Sequence, residues 1–215
     1  MIVNEVVTGF MVIVIGYLLG SINSAYIITR LLTGKDIRQL GGGNAGARNT
    51  FREVGLRAAI PVAIFDVGKG AASVAIAHWL LNIPLYEPNL FVLLAGVAAV
   101  AGHMWSIYLK FTGGNGLGAT IGVLAIVLPW PLLIVLGLML VLTAITRNLV
   151  LSLNISLLSL PVSAWFLEKS WLYVAFSIIL LIIMILNFIP TVRAAISKAG
   201  SRDNLFAELF RRNKH

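Results

Sequence analysis

Residues 36–57 read DIRQLGGGNAGARNTFREVGLR, a polar run set between two oily stretches. Gly41, Gly42, Gly43 and Gly46 let the backbone take φ > 0, so successive N–H groups can turn toward one point. Arg38, Arg48, Arg52 and Arg57 bring guanidinium forks to the same run, and the amides of Asn44 and Asn49 add donors. Many donors on a bendable loop suit a phosphate or another oxyanion. The competing reading is a positive loop that only orients the chain in a membrane.

A second glycine-rich run, AGHMWSIYLKFTGGNGLGAT, covers residues 101–120. Gly113, Gly114, Gly116 and Gly118 surround Asn115, and a helix is predicted to start just beyond, with its anion-attracting N-terminus at the loop. His103, upstream, suits either a phosphate contact or base, or a helix–helix hydrogen bond. In FDVGKG, Asp66 and Lys69 stand three apart in an apolar segment, so they share a helix face and can pair. Intramembrane charges are costly and usually functional; a structural pair that pins the helix is the alternative. Asn23, with Ser21 and Ser24, either lines a polar pocket above the first loop or bonds between helices, and Gly16 with Gly20 reads as close helix packing.

The elements that hold these residues follow from composition. The chain has 215 residues, 59% hydrophobic and only 11% charged, where a soluble domain carries roughly a quarter charged residues. We expect an all-α polytopic membrane helix bundle, a single integral membrane domain over 1–215. Apolar windows fall at 6–32, 58–81, 90–109, 117–128, 132–145, 149–167 and 172–189, the fourth and fifth short and separated by Pro129 and Pro131. The first window is too long for a signal-peptide core and has no basic residues before it, so it is read as a mature span. Seven spans with the N-terminus outside and the C-terminus cytoplasmic put all of the 16 Lys and Arg residues on one side, except Lys69 within a span and Lys169. Six spans would split them, so the positive-inside rule selects seven. The net charge of +8 therefore follows membrane topology, and we expect no nucleic-acid partner. Within the basic tail 199–215, residues 201–215 read as a short amphipathic helix for the inner leaflet. Without cysteine, the chain has no thiolate nucleophile and no Cys-based metal site.

GSINSAY at 20–26, GGGNAGARNTFREVG, FDVGKG and GHMWSIYLKFTGGNGLGAT, in that order, resemble the bacterial acyl-phosphate glycerol-3-phosphate acyltransferases, the PlsY family, over roughly residues 16–122. The resemblance implies a seven-span inner-membrane enzyme with cytoplasmic motifs. Its reaction moves a fatty acyl group from acyl phosphate to the 1-hydroxyl of glycerol 3-phosphate, giving lysophosphatidic acid and phosphate, without a cofactor or metal. The resemblance assigns Asn44, Arg52 and His103 to the chemical step. It assigns Gly41, Gly42, Gly43, Gly46, Arg48, Asn49, Asp66, Lys69, Gly113, Gly114, Asn115 and Gly116 to substrate phosphates. The chain departs from the family pattern where Gly42 replaces a serine, Arg48 a threonine and Asn115 a lysine. It also has no His-Arg-Glu-Asn run between Phe188 and Ser201. These departures leave room for another phosphorylated acceptor or a non-catalytic lipid-binding role. A carrier for anionic lipids is the rival class, though the chain shows no internal repeat and no matching polar motifs for the outer face.

Overall fold

The computed structural model describes residues 2–199, which are helical apart from turns, loops and one isolated bridge between Ser106 and Thr112. The amphipathic tail expected at 201–215 lies outside the described residues. The chain divides after Pro129 into two compact units. The first holds α1 (Ile2–Ser21), α2 (Ser24–Thr33), α3 (Ala47–Glu53), α4 (Leu56–Leu81), α5 (Leu90–Met104) and α6 (Leu117–Val127). From Pro129 onward run α7 (Pro129–Thr146), α8 (Leu149–Ser156), α9 (Leu160–Glu168) and α10 (Trp171–Ala199).

Each expected apolar window is largely helical, with three corrections: 90–109 leaves the helix after Met104, 149–167 passes through a 3-10 turn at Leu157–Ser159, and the first window is divided. The window at 6–32 is two helices, interrupted at Ile22 and Asn23. The sequence reason is Asn23, which leaves helical geometry (φ −96°, ψ 98°) and caps α2 by accepting the Tyr26 N–H at 2.8 Å. Among the described residues, five segments are long and apolar enough to cross a membrane: Glu5–Thr33, Leu56–Leu81, Pro129–Thr146, Leu149–Glu168 and Trp171–Arg193. Leu90–Met104 and Leu117–Val127 are shorter apolar helices.

The first unit is held by two seams of small residues. A Cβ placed on Gly20 of α1 would lie 2.0 Å from the Ala99 carbonyl of α5, so only a bare backbone permits that approach. Likewise a Cβ on Gly122 of α6 would lie 1.9 Å from the Val67 carbonyl of α4. Where lipid tails are as apolar as leucine, such close packing replaces the hydrophobic drive between helices. Val62, Val74, Val100, Val123 and Leu124 are fully buried around these seams. Several serines of the second unit are satisfied within their own helical segments. Ser156 donates to the Ser152 carbonyl (2.8 Å), Ser163 to Ser159 (2.9 Å) and Ser177 to Tyr173 (2.7 Å).

The seams give a direct test. Gly122→Val should force α4 and α6 apart and lower thermal stability in detergent by about 1–3 kcal/mol. Gly137→Ala in α7, where an added Cβ meets nothing within 4 Å, should cause no loss. Equal melting temperatures for the two variants would contradict the seam.

Candidate active site

Inside an apolar layer, a broken helix leaves carbonyls that need donors. At the break between α1 and α2 those donors come from the rest of the site. Ser106 Oγ donates to the Ser21 carbonyl at 2.6 Å, and Lys69 Nζ donates to the Ile22 carbonyl at 2.8 Å. Lys69 thereby sets a cation at the negative end of the α1 dipole. Asn23 Nδ2 donates to the Ala45 carbonyl in the first glycine loop at 3.2 Å, and Ser24 Oγ donates to Asp66 Oδ1 at 2.9 Å. The break therefore joins α4 to both glycine loops.

Asp66 and Lys69 form the expected pair, Nζ to Oδ1 at 3.0 Å, with side chains only 5% and 9% exposed. His103 Nδ1 lies 3.5 Å from the same Oδ1. The pair is thus enclosed by protein groups and faces the break. His103 is buried, its Nδ1 has no hydrogen-bond partner, and its Nε2 edge lies against the second loop, where a Cβ on Gly114 would sit 2.2 Å away.

The two glycine loops meet. Ala45 N–H donates to the Gly113 carbonyl at 3.2 Å, and Gly114 N–H donates to the His103 carbonyl at 3.0 Å. Arg38 is the strut between them. It holds the Asp36 carboxylate through Nε and Nη2 (2.6–3.1 Å) and donates through Nη1 to the Leu109 carbonyl and Thr112 Oγ1, both at 3.1 Å. It also lies over the Tyr26 ring, 5.5 Å from its centroid. The Arg38 hydrogen bond holds the Asp36 carboxyl below its usual range, so this contact is fully present at neutral pH. Arg38 is therefore consumed by the scaffold and does not present a free fork.

Asn49 is likewise turned inward. Its Nδ2 donates to the Ile37 and Leu40 carbonyls (3.2 and 3.0 Å), and its Oδ1 accepts the Gly42 N–H at 3.3 Å, so it clamps the first loop into shape. Of that loop's glycines, Gly41 (φ 54°) and Gly43 (φ 71°) take the left-handed conformation, whereas Gly42 does not and Gly46 is extended (φ −148°).

Some polar groups are left unused by the scaffold. Arg48 and Arg52, one helical turn apart on α3, are both exposed, and neither has an acidic partner among the described residues. Partial burial and then the charge of Arg52 hold the Arg48 guanidinium below its ordinary value. Like charges at this spacing destabilise a bare helix and are relieved by an anion between them. Asn44 Oδ1 is buried without a hydrogen-bond partner. Asn115 is half-buried in the second loop, next to Gly116, which caps the N-terminus of α6. Sequence reasoning missed the role of Ser106, because a backbone carbonyl, its partner here, leaves no trace in residue type, and it missed the commitment of Arg38 to Asp36 and Thr112.

Two predictions follow from the satisfied groups. Lys69→Met should cost about 3–5 kcal/mol of stability by stranding the Asp66 carboxylate, and adding Asp66→Asn should recover part of it. Additive losses in thermal unfolding would refute the pairing. In the first loop, Gly43→Ser should cost about 1–2 kcal/mol for a left-handed residue with a side chain. Gly42→Ser should be nearly neutral, since an added Cβ there meets open space. The same thermal measurement separates them.

Comparison with known proteins identifies the family. The sequence profile described as glycerol-3-phosphate acyltransferase matches residues 10–198. Glycerol-3-phosphate acyltransferase 1 of Dehalococcoides mccartyi (strain 195) is 42% identical over 207 residues, covering 94% of this chain and 98% of the relative. Glycerol-3-phosphate acyltransferase 2 of the same strain is 36% identical over 210 residues, covering 98% and 97%. Among solved structures, PlsY (YgiH), an integral membrane glycerol 3-phosphate acyltransferase in its glycerol 3-phosphate form, superposes with a TM-score of 0.78 at 25% identity. That match covers 88% of this chain and 92% of the other. A profile spanning most of the chain and a relative this similar over nearly its whole length place this protein in the glycerol-3-phosphate acyltransferase family.

Proposed function

We propose that this chain is a membrane acyltransferase that moves a fatty acyl group from acyl phosphate to the 1-hydroxyl of glycerol 3-phosphate. The observation that carries this reading is the docking of the two glycine loops, Ala45 N–H on Gly113 C=O, with Arg48 and Arg52 exposed on the helix that follows the first loop. Two anions that repel each other need such a place, where donors from two loops converge on one side. The relatives' names supply the acceptor: they are glycerol-3-phosphate acyltransferases.

The chemistry asks little beyond that placement. An acyl phosphate is a mixed anhydride whose leaving group is already good. The acceptor oxygen attacks the acyl carbon, the acyl C–O bond to phosphate breaks, and phosphate departs with the bonding electrons. The hydroxyl proton passes to a phosphate oxygen, so no protein base and no covalent intermediate are required. Catalysis is then proximity and electrostatics. The first loop holds the donor phosphate with its N–H groups and Asn44. Arg48, Arg52 and the second loop hold the acceptor, with Asn115 at the mouth of α6. His103 supports the second loop from beneath. Asn49, Asp66 and Lys69 act from behind, fixing the loops without touching substrate.

For topology we propose seven crossings, with the N-terminus outside, the site facing the cytoplasm and the protein in the bacterial inner membrane. Tryptophan placement supports this path: exposed Trp79, Trp130, Trp165 and Trp171 all fall at the ends it puts outside, opposite the cationic end. Such rings settle at membrane–water interfaces. A different phosphorylated acceptor is the second reading, favoured by Arg48 and Asn115 at positions where the family pattern has threonine and lysine.

Purified protein supplied with acyl phosphate and glycerol 3-phosphate should release phosphate and form lysophosphatidic acid. Arg52→Ala or Asn44→Ala should lower the rate by roughly 100-fold or more, as loss of a transition-state donor does. Folded protein that releases no phosphate above the uncatalysed rate with any phosphorylated acceptor would end this reading.

A further inference from the structure

The hairpin at residues 106–112 is built more firmly than a connecting loop requires. Ser106 and Thr112 pair across its base. Phe111 N–H and Leu109 N–H both donate to the Ser106 carbonyl, at 2.8 and 3.1 Å. Its feet are bolted down: Ser106 Oγ binds the Ser21 carbonyl, and Arg38 binds Leu109 and Thr112. Leu109 points inward and is buried. Ile107, Tyr108 and Phe111 are exposed, Tyr108 at 59% and Phe111 at 63%, with Lys110 exposed between them.

The backbone at the tip is strained. Lys110 (φ 56°) and Phe111 (φ 59°) are consecutive non-glycine residues in the left-handed region. Each costs on the order of 1–2 kcal/mol, and neither is replaced by the glycine that would remove the cost. What the side chains add is a tip of two aromatics and an aliphatic around a lysine, immediately after the apolar helix α5. Aromatic rings with a snorkelling cation are the chemistry of the headgroup boundary. Lys35 and Arg30 are exposed on the neighbouring loop and helix end and give that face a positive charge, complementary to anionic lipid.

We propose that the 106–112 hairpin is an interfacial anchor, with Tyr108, Phe111 and Ile107 seated in the headgroup–acyl boundary of the inner leaflet and Lys110 among anionic headgroups. Gly113 and Gly114 follow directly, so the anchor sets the depth of the second loop relative to the acyl chain of a lipid-borne substrate. That last step rests on the function proposed above; the anchoring itself does not.

Because the chain has no cysteine, a single spin label can be placed cleanly. Full-length Tyr108→Cys and Phe111→Cys, labelled and reconstituted in liposomes of phosphatidylglycerol and phosphatidylethanolamine without substrate, are compared with Gly42→Cys. The labels at 108 and 111 should show a several-fold higher ratio of oxygen to aqueous nickel-chelate collisions than the label at 42. Equal ratios would overturn the anchor. So would spin–spin broadening at 108 or 111, which would mean that a second copy covers the tip. Phe111→Gly supplies an independent arm, because it relieves the left-handed strain while removing the ring. Thermal stability in detergent should hold or rise, while the KM for acyl phosphate in lipid rises several-fold and that for glycerol 3-phosphate stays the same. An unchanged donor KM in active protein would count against the anchor. A total lack of turnover would instead sink the acyltransferase reading and leave the collision measurement to decide the anchor.

Discussion

A break in a membrane helix has to be compensated, because lipid offers no water to the carbonyls it frees. In this chain the break at Ile22–Asn23 is compensated by Lys69 and Ser106, and its own polar side chains reach Ala45 and Asp66. Those four contacts reach α4, the start of the second loop and the first loop. The break adds to the direct ties between the two glycine runs, Ala45 N–H on the Gly113 carbonyl and Arg38 on Leu109 and Thr112. The requirement to satisfy backbone polarity at one point in the first segment thus organises the chemistry elsewhere.

A division of labour follows. Asp36, Arg38, Asn49, Asp66 and Lys69 spend their hydrogen-bonding capacity on the protein itself. Arg48 and Arg52 do not: both are exposed, and neither has an acidic partner among the described residues. On the function proposed above, the charges that hold the walls are distinct from the charges that would hold the cargo. A cation already committed to an internal carboxylate contributes little net attraction to a phosphate.

Much of this was legible from residue types. The seven apolar windows, the glycine seam at Gly16 and Gly20, and the Asp66–Lys69 pair are periodic or compositional features, and each has its counterpart in the structure. The interruption after Ser21 was not legible. Asn23 and Ser24 are common enough within membrane helices, and only the cap on Tyr26 distinguishes a break from a polar patch. Arg38 and Asn49 read as ligands because their type is that of an anion binder, yet Arg38 is taken up by Asp36, Leu109 and Thr112, and Asn49 by main-chain groups. The positive φ of Phe111 was equally hidden, since nothing about a phenylalanine announces it.

The short helices have a consequence for the surrounding lipid. At about 1.5 Å per residue, the 11 residues of α6 rise roughly 16 Å, about half of a ~30 Å hydrocarbon core. One end of α6 must therefore stop at mid-depth, or the leaflet beside it must dip to meet it. Most of α6 is covered by the rest of the first unit, so the protein itself closes over the part of the layer that so short a helix leaves unspanned.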